Sequence, residues 1–476
     1  TYTSSADGTN IDMDERGNLT MRSGNVDLAA EAPINVKVAE DQVYEVKTSN
    51  GATVHMPENN TPYVILQGGE SVTIDGVTYT VKDGASDVKV LIPNGFLNEN
   101  GSVNDKIAKA DIADGKTAPV AIGKNEDGSF KTITATGAAT ITPDAPNAGD
   151  FSTKAKENTE ITLPNGVKAT VNNANCPTVW PANGQNPYVD VANQGTETTV
   201  KNGDVTYVVD ANKSAKVYLP KGMTDENVSK AIIDAAKNAE VDLGNGKTAQ
   251  TTGRAVIERT EKGTEVKAPA NTAVVVKNGN DATAQTVKSD DANAAVVMPK
   301  DPTRPTYVTN VANGKVVEAN GVKFYPNSET VQTPLPNGLN GEGVNKAEIS
   351  EGNKTLFNGK DVTADKGTIT IDKTTADKPF INVPNGGQVS IGADNTIKAD
   401  SQDIKLYPKD DTIKAEIPEN GKLTVNGKEF TAKDADTVVT LPGTLDKGKV
   451  NIPEGGSVSV NDKTITAVGG AVDVSK

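Results

Sequence analysis

VTIDGVTYTV, residues Val72–Val81, decides how this chain is read. Val72, Ile74, Val77, Tyr79 and Val81 fall on one face and threonines on the other, the period-two pattern of a half-buried strand. Between the two arms stands Asp75-Gly76, the residue types that accept the positive φ of a two-residue hairpin turn. The stretch therefore predicts a β-hairpin.

Working outward, the hairpin lies inside a longer pattern that occurs four times. It runs TPYVILQGGESVTIDGVTYTVKDGASDVKVLIPNG from Thr61 to Gly95 and NPYVDVANQGTETTVKNGDVTYVVDANKSAKVYLPKG from Asn186 to Gly222. It returns as PTYVTNVANGKVVEANGVKFYPNSETVQTPLPNG from Pro305 to Gly338 and, more diverged, as AEIPENGKLTVNGKEFTAKDADTVVTLPG from Ala415 to Gly443. Each copy has a lead strand, a turn, a hairpin around Gly76, Gly203, Gly321 or Gly427, and a hydrophobic-Pro exit. The exit prolines Pro93, Pro220, Pro336 and Pro442 are 127, 116 and 106 residues apart and follow the turn glycines by 17, 17, 15 and 15. Offsets this steady mark an internal repeat.

After each exit comes a variable insert and then a shared tail: DGKTAPV from Asp114, NGKTAQT from Asn245, NGKDVTA from Asn358 and NDKTITA from Asn461. The second insert, TDENVSKAIIDAAKNAEV, predicts a short helix over 224–239, capped by Thr224, with Val228, Ile232, Ala235 and Ala236 near helical spacing. The other inserts predict loops or single turns. Further β-like stretches begin at Ile34, Glu157, Ala273 and Ile381. The expected organisation is four units, at 1–116, 117–247, 248–360 and 361–476, with the N-terminal segment of the first extended. No Pro/Ser-rich linker separates them. The fold class expected is all-β: about four tandem β-sandwich or barrel-like repeat domains with one short helical insert. The alternative is a β-solenoid, against which the unequal inserts and tight hairpins count.

Composition narrows the function. A net charge of −15 without a dense Lys/Arg stripe excludes nucleic acid and anionic membrane as natural partners. No apolar run is long enough for a membrane-spanning helix. Cys176 is the single cysteine, so no intrachain disulfide and no CxxC zinc site can form, and a small buried residue is expected there. The start at Thr1 fits a chain after signal removal or a trimmed piece.

His55, in GATVHMPEN, is the only histidine; a Ser-His-Asp or Cys-His site would have to use it, and no nucleophile elbow accompanies it. A half-exposed strand-end histidine is expected instead. Paired acids are guaranteed by 63 Asp and Glu and so single out no glycosidase site. Trp180, the lone tryptophan, is read as packing between β subunits before it is read as a sugar platform. ADGTNIDMDERGN from Ala6 places Asp12, Asp14 and Gly17 at three EF-hand positions, but Arg16 and Ser23 occupy liganding positions and no helices flank it. The EF-hand reading fails. A looser calcium site stays open, and calcium is the one cofactor considered. Sequons at Asn18, Asn59, Asn100, Asn212, Asn227 and Asn353 carry little weight in a chain so rich in Asn and Thr.

These readings converge on a non-enzymatic, extracellular structural protein at a bacterial cell surface. It is expected to self-associate into a homopolymer, as a surface layer (S-layer) or filament. The rival is an adhesin or phage-fibre module that binds a carbohydrate or host ligand on its variable inserts. An enzyme comes third. No catalytic, cofactor-binding or metal residue is assigned.

Overall fold

The computed structural model describes residues 53–57 and, from 61 onward, all but 144–148, 194, 235–238, 280–282, 376, 394, 410–411, 434–436, 443–448, 453, 461–462, 469–471 and 476; within 1–52 it describes the backbone of six strands. The chain divides into two compact units, Thr1–Ser229 and Lys230–Lys476, the boundary falling inside the strand Val228–Ile233. Among the described residues the fold is all-β, and the only helical element is the single 3-10 turn Gly338–Asn340. Strand pairing among the described residues is antiparallel throughout, and no sheet there closes into a barrel. A β-solenoid stacks its coils in parallel, so the alternative architecture is not the one adopted.

In the first unit an eight-stranded sheet runs Ser71–Ile74, Val77–Val81, Ile107–Ile112, Ala139–Pro143, Phe151–Ala155, Thr178–Trp180, Tyr188–Val191, Ala215–Tyr218. The hairpins interleaved with these in sequence, from Ala118–Lys124 to Val205–Val209, lie in a second sheet. The chain thus deposits one hairpin in one sheet and the next in the other. One row across the eight-stranded sheet reads Tyr79, Ala110, Ile141, Thr153, Thr178, Val189, Val217, and every member is buried. The neighbouring row, Thr73, Thr78, Asp111, Thr140 and Lys154, faces the other way and is polar. Period-two alternation in sequence has become one apolar and one hydroxyl-rich face.

The second unit repeats the scheme. A fourteen-stranded sheet begins at Ala239–Gly244 and ends at Val472–Ser475. Its hairpins alternate first with those from Ala255–Arg259 to Thr333–Pro334 and then with those of an eight-stranded sheet, Lys354–Phe357 to Lys463–Thr466. The row Thr251, Val274, Val287, Ala319, Val322, Ile349, Ile369 is buried along its whole length.

The repeats mark where sheets end. In the first, lead strand Tyr63–Leu66 pairs with exit strand Val88–Leu91, and that exit strand terminates its sheet; a new sheet then begins at Ala118–Lys124. In the second, Tyr188–Val191 pairs with the terminal strand Ala215–Tyr218, and Ala239–Gly244 starts a new sheet. In the third, Tyr307–Thr309 pairs with the terminal Thr333–Pro334, and Lys354–Phe357 starts another. We call these places sheet switches.

The predicted helix over 224–239 is not formed in the described residues. Val228–Ile233 is a strand, with Val228, Ala231 and Ile233 buried and Ile232 half-buried, and Ala239–Gly244 is a strand too; Ala235 and Ala236 lie outside the described residues. β-Branched Val228, Ile232 and Ile233 suit a pleated surface better than a helix. The other inserts likewise hold strands, Ile107–Ile112 and Val344–Ile349, where loops were expected, and all three share one burial pattern. In two of them the pairing slips by a β-bulge, at Thr80/Val81 and at Tyr325/Pro326. The bulge moves the first buried pair three residues apart, the spacing that imitates a helix.

The hairpin turns match expectation at Asp75-Gly76, Asn320-Gly321 and Asn426-Gly427, where both residues have φ between 49° and 81°. The second repeat differs. Asn202 pairs with Val205, which leaves Gly203-Asp204 as the turn, and Gly203 takes the positive φ in the first position.

Candidate functional site

The three switches share one local chemistry. The peptide bonds Ile92-Pro93, Leu219-Pro220 and Leu335-Pro336 are cis. Two residues on stand Gly95, Gly222 and Gly338, against which the aromatic rings of Tyr79, Tyr207 and Phe324 pack so closely that a Cβ would meet ring atoms at 2.6, 2.9 and 2.5 Å. Each ring belongs to the second arm of the repeat's hairpin and is buried. The Tyr207 hydroxyl donates to the Pro220 carbonyl at 2.9 Å, and that of Tyr79 to the Pro93 carbonyl at 3.4 Å. Burial pushes the Tyr79 phenol up to about 12, so it acts as a neutral donor. Phe324 supplies the ring without a hydroxyl.

A tyrosine leads each switch and meets a cation. Lys89 lies 4.4 Å from the Tyr63 ring centre, Lys216 4.6 Å from Tyr188, and Arg304 5.9 Å from Tyr307. In the first two the lysine comes from the exit strand. The third exit strand is only Thr333–Pro334, and the arginine comes from the preceding loop.

Clefts open at two switches. In the first unit a cleft of about 580 Å³ is lined by Ile74, Val77 and Tyr79 of the hairpin, by Asn94, and by Lys116 and Phe130 of the following sheet's approach and second strand. In the second unit a cleft of about 510 Å³ is lined by Arg304, Tyr307 and Gln332, and by Asn340, Gly341 and Glu342 from the third insert. There the Arg304 guanidinium donates to Gln332 Oε1 at 3.1 Å. One cation, one acid and amide groups around a shallow wall suit a polar ligand.

The residues singled out in the sequence are dispersed. His55 lies on strand Thr53–Pro57, half-buried and stacked on Tyr63, its cross-strand partner, at 4.9 Å. Cys176 is buried, and burial raises its thiol pKa, which keeps it protonated. Trp180 ends strand Thr178–Trp180, half-buried and paired with Phe151. In the calcium-like loop Asp12 and Ser23 fall on strands Asn10–Met13 and Leu19–Ser23, while Asp14, Arg16 and Gly17 lie outside the described residues. Among the described residues no group of three or more His, Cys, Asp or Glu is placed to hold a metal. No helix there is long and apolar enough to cross a membrane. Asn100, Asn212 and Asn227 are exposed and Asn353 half-exposed; Asn18 and Asn59 lie outside the described residues.

Reading the sequence missed the ring-on-glycine lock and the φ-x-Lys-Ala-x-Ile strand after it: IAKADI at Ile107, VSKAII at Val228 and VNKAEI at Val344. Val228 and Val344 each stand 8 residues past their exit prolines and Ile107 stands 14, so aligning the second and third inserts on Pro220 and Pro336 finds that strand. No known protein family matches the chain, and no curated protein is similar to it above chance.

Proposed function

We propose that this chain is a non-enzymatic, extracellular structural protein of a bacterial cell surface that self-assembles into a layer or filament, its four repeats serving as serial building units. The observation that carries the reading is the stagger of the sheets. Within the first unit one sheet ends at Val88–Leu91 and another begins at Ala118–Lys124, while the eight-stranded sheet runs on through that change. Within the second, a sheet ends at Thr333–Pro334 and another begins at Lys354–Phe357, while the fourteen-stranded sheet continues. Such a scheme adds hairpins without inserting a flexible linker, which suits a protein whose work is to span and to stack. Negative-stain microscopy of the purified chain over a concentration series, with and without calcium, tests it. Ordered polymers are expected; a chain that stays monomeric in every condition overturns the reading.

The cleft at Arg304 and Glu342 supports a second reading, an adhesin or phage-fibre module that captures a carbohydrate or host ligand, because variable-insert residues form one of its walls. Glycan-array binding that is lost on Arg304→Ala would favour it.

A further inference from the structure

We infer that the edge strand Ser71–Ile74 pairs with its own copy in a second chain, joining two eight-stranded sheets across a two-fold axis; this rests on the self-assembly reading and names its contact. An edge strand offers unpaired N–H and C=O groups, and proteins blunt such edges with charges, prolines and bulges. Where this structure describes the terminal strands from residue 61 onward, all but one carry a charge or a proline. Lys89, Lys216, Lys354 and Lys463 stand on four of them, and Pro119 and Pro334 on two more. Acidic residues stand on the remaining two, Ala239–Gly244 and Val472–Ser475. Ser71-Val72-Thr73-Ile74 carries no charge and no proline, and a bulge lies just before it, where the Gly69 N–H donates to the Val81 carbonyl at 3.2 Å and the Val81 N–H to the Glu70 carbonyl. Ser71 and Thr73 are exposed there and Val72 and Ile74 half-exposed, whereas Val77, Tyr79 and Val81 on the next strand are buried.

The strand is complementary to itself. Ile74 and Val77 close a two-residue turn, and the Val81 N–H donates to the Glu70 carbonyl at 2.9 Å. That phase turns the backbone groups of Ile74 and Val72 and the Glu70 carbonyl toward the hairpin partner and those of Thr73 and Ser71 outward, while the Glu70 N–H turns back to the Gln67 carbonyl at 3.0 Å. An antiparallel copy centred on Thr73 sets Thr73 against Thr73 as a hydrogen-bonded pair, Val72 against Ile74, and Ser71 against the turn residue Asp75. It extends the hydroxyl contacts already made, Thr73 to Thr78 at 2.8 Å and Ser71 to Thr80 at 2.9 Å. The same register sets Glu70 opposite Gly76. Beside Gly76 lies the side chain of Lys116, whose Cγ is 3.6 Å from where a Cβ on that glycine would stand. Its ammonium makes no hydrogen bond or ion pair among the described residues. Two Glu70–Lys116 pairs thus bracket the strand contact, one at each end.

Analytical ultracentrifugation of the full chain, with a cysteine cross-link, tests this. Association is expected for the native chain. Thr73→Lys abolishes it, and Glu70→Lys or Lys116→Glu each weakens it by about tenfold, as the loss of one favourable charge contact at each end would. The double reversal Glu70→Lys/Lys116→Glu restores it, which a folding defect would not. Thr73→Cys gives an oxidised dimer, since hydrogen-bonded antiparallel partners stand at a Cα separation of about 5.5 Å, within disulfide range; Lys216→Cys on a blunted edge does not. Native association that survives Thr73→Lys overturns this contact and leaves self-assembly standing. A native chain that never associates overturns both.

Discussion

The third and fourth repeats occupy the same unit and treat their exit strand differently. In the third, Thr333–Pro334 is two residues long and ends its sheet, and Gly338 stands two residues past Pro336 under the Phe324 ring. In the fourth, Thr437–Pro442 is six residues long, pairs with Thr412–Ile417 on one side and Lys449–Ile452 on the other, and its sheet runs on. Its proline is followed at once by Gly443, with no residue between. Both copies keep the Asn-Gly hairpin, so the hairpin is not what stops a sheet. Termination goes with the Pro-x-Gly exit and the ring above it.

The largest effect should come from the ring. Phe324 is fully buried, and Phe324→Ala should cost about 4 kcal/mol in urea unfolding, as large-to-small core changes do. Phe430→Ala, at the matching strand position of the fourth repeat and 9% exposed, should cost clearly less; equal losses would erase the distinction. Next comes the glycine. Gly338→Val drives a side chain into ring atoms at 2.5–2.7 Å and should cost about 3 kcal/mol, with partial recovery in the double variant carrying Phe324→Leu.

A smaller effect separates the same unit by pH. Asp291, which precedes strand Ala295–Pro299, accepts the backbone N–H of Ala312 and of Asn293, both at 2.9 Å, and these hold its carboxyl below the usual range. A depressed folded pKa contributes stability above the unfolded value, about 3.9, and that contribution is lost as pH falls through the folded one. Asp291→Asn should therefore cost about 1 kcal/mol at neutral pH, and the gap to the native chain should close on acidification. The smallest change has the opposite sign. The Thr333 hydroxyl, on the terminal exit strand, is buried without a hydrogen-bond partner among the described residues, so Thr333→Val should raise stability by about 0.5 kcal/mol.

The hairpins were legible because Asp-Gly or Asn-Gly between alternating residues leaves little else to form, and the repeats because glycine and proline offsets survive sequence drift. Local pattern does not say which sheet a hairpin joins. Val287, for instance, pairs onward with Ala319, across the intervening strands Ala295–Pro299 and Tyr307–Thr309 that belong to another sheet. VSKAII imitates a helix because its buried Val228 and Ala231 stand three residues apart, although the segment is a strand. The candidate site was half visible. Pro93, Pro220 and Pro336 stood out, but nothing in a sequence places Tyr79 over Gly95, a contact between residues 16 apart that exists only once the switch has formed.

The stagger within each unit works like bonded masonry, where every joint in one course is bridged by an unbroken course beside it. At the first switch the joint between Val88–Leu91 and Ala118–Lys124 is spanned by Val77–Val81 and Ile107–Ile112, which stay laced together by five cross-strand partners. Pulling such a joint apart means shearing intact ladder and not merely opening a seam. A unit assembled this way has no natural crack line where its sheets change over.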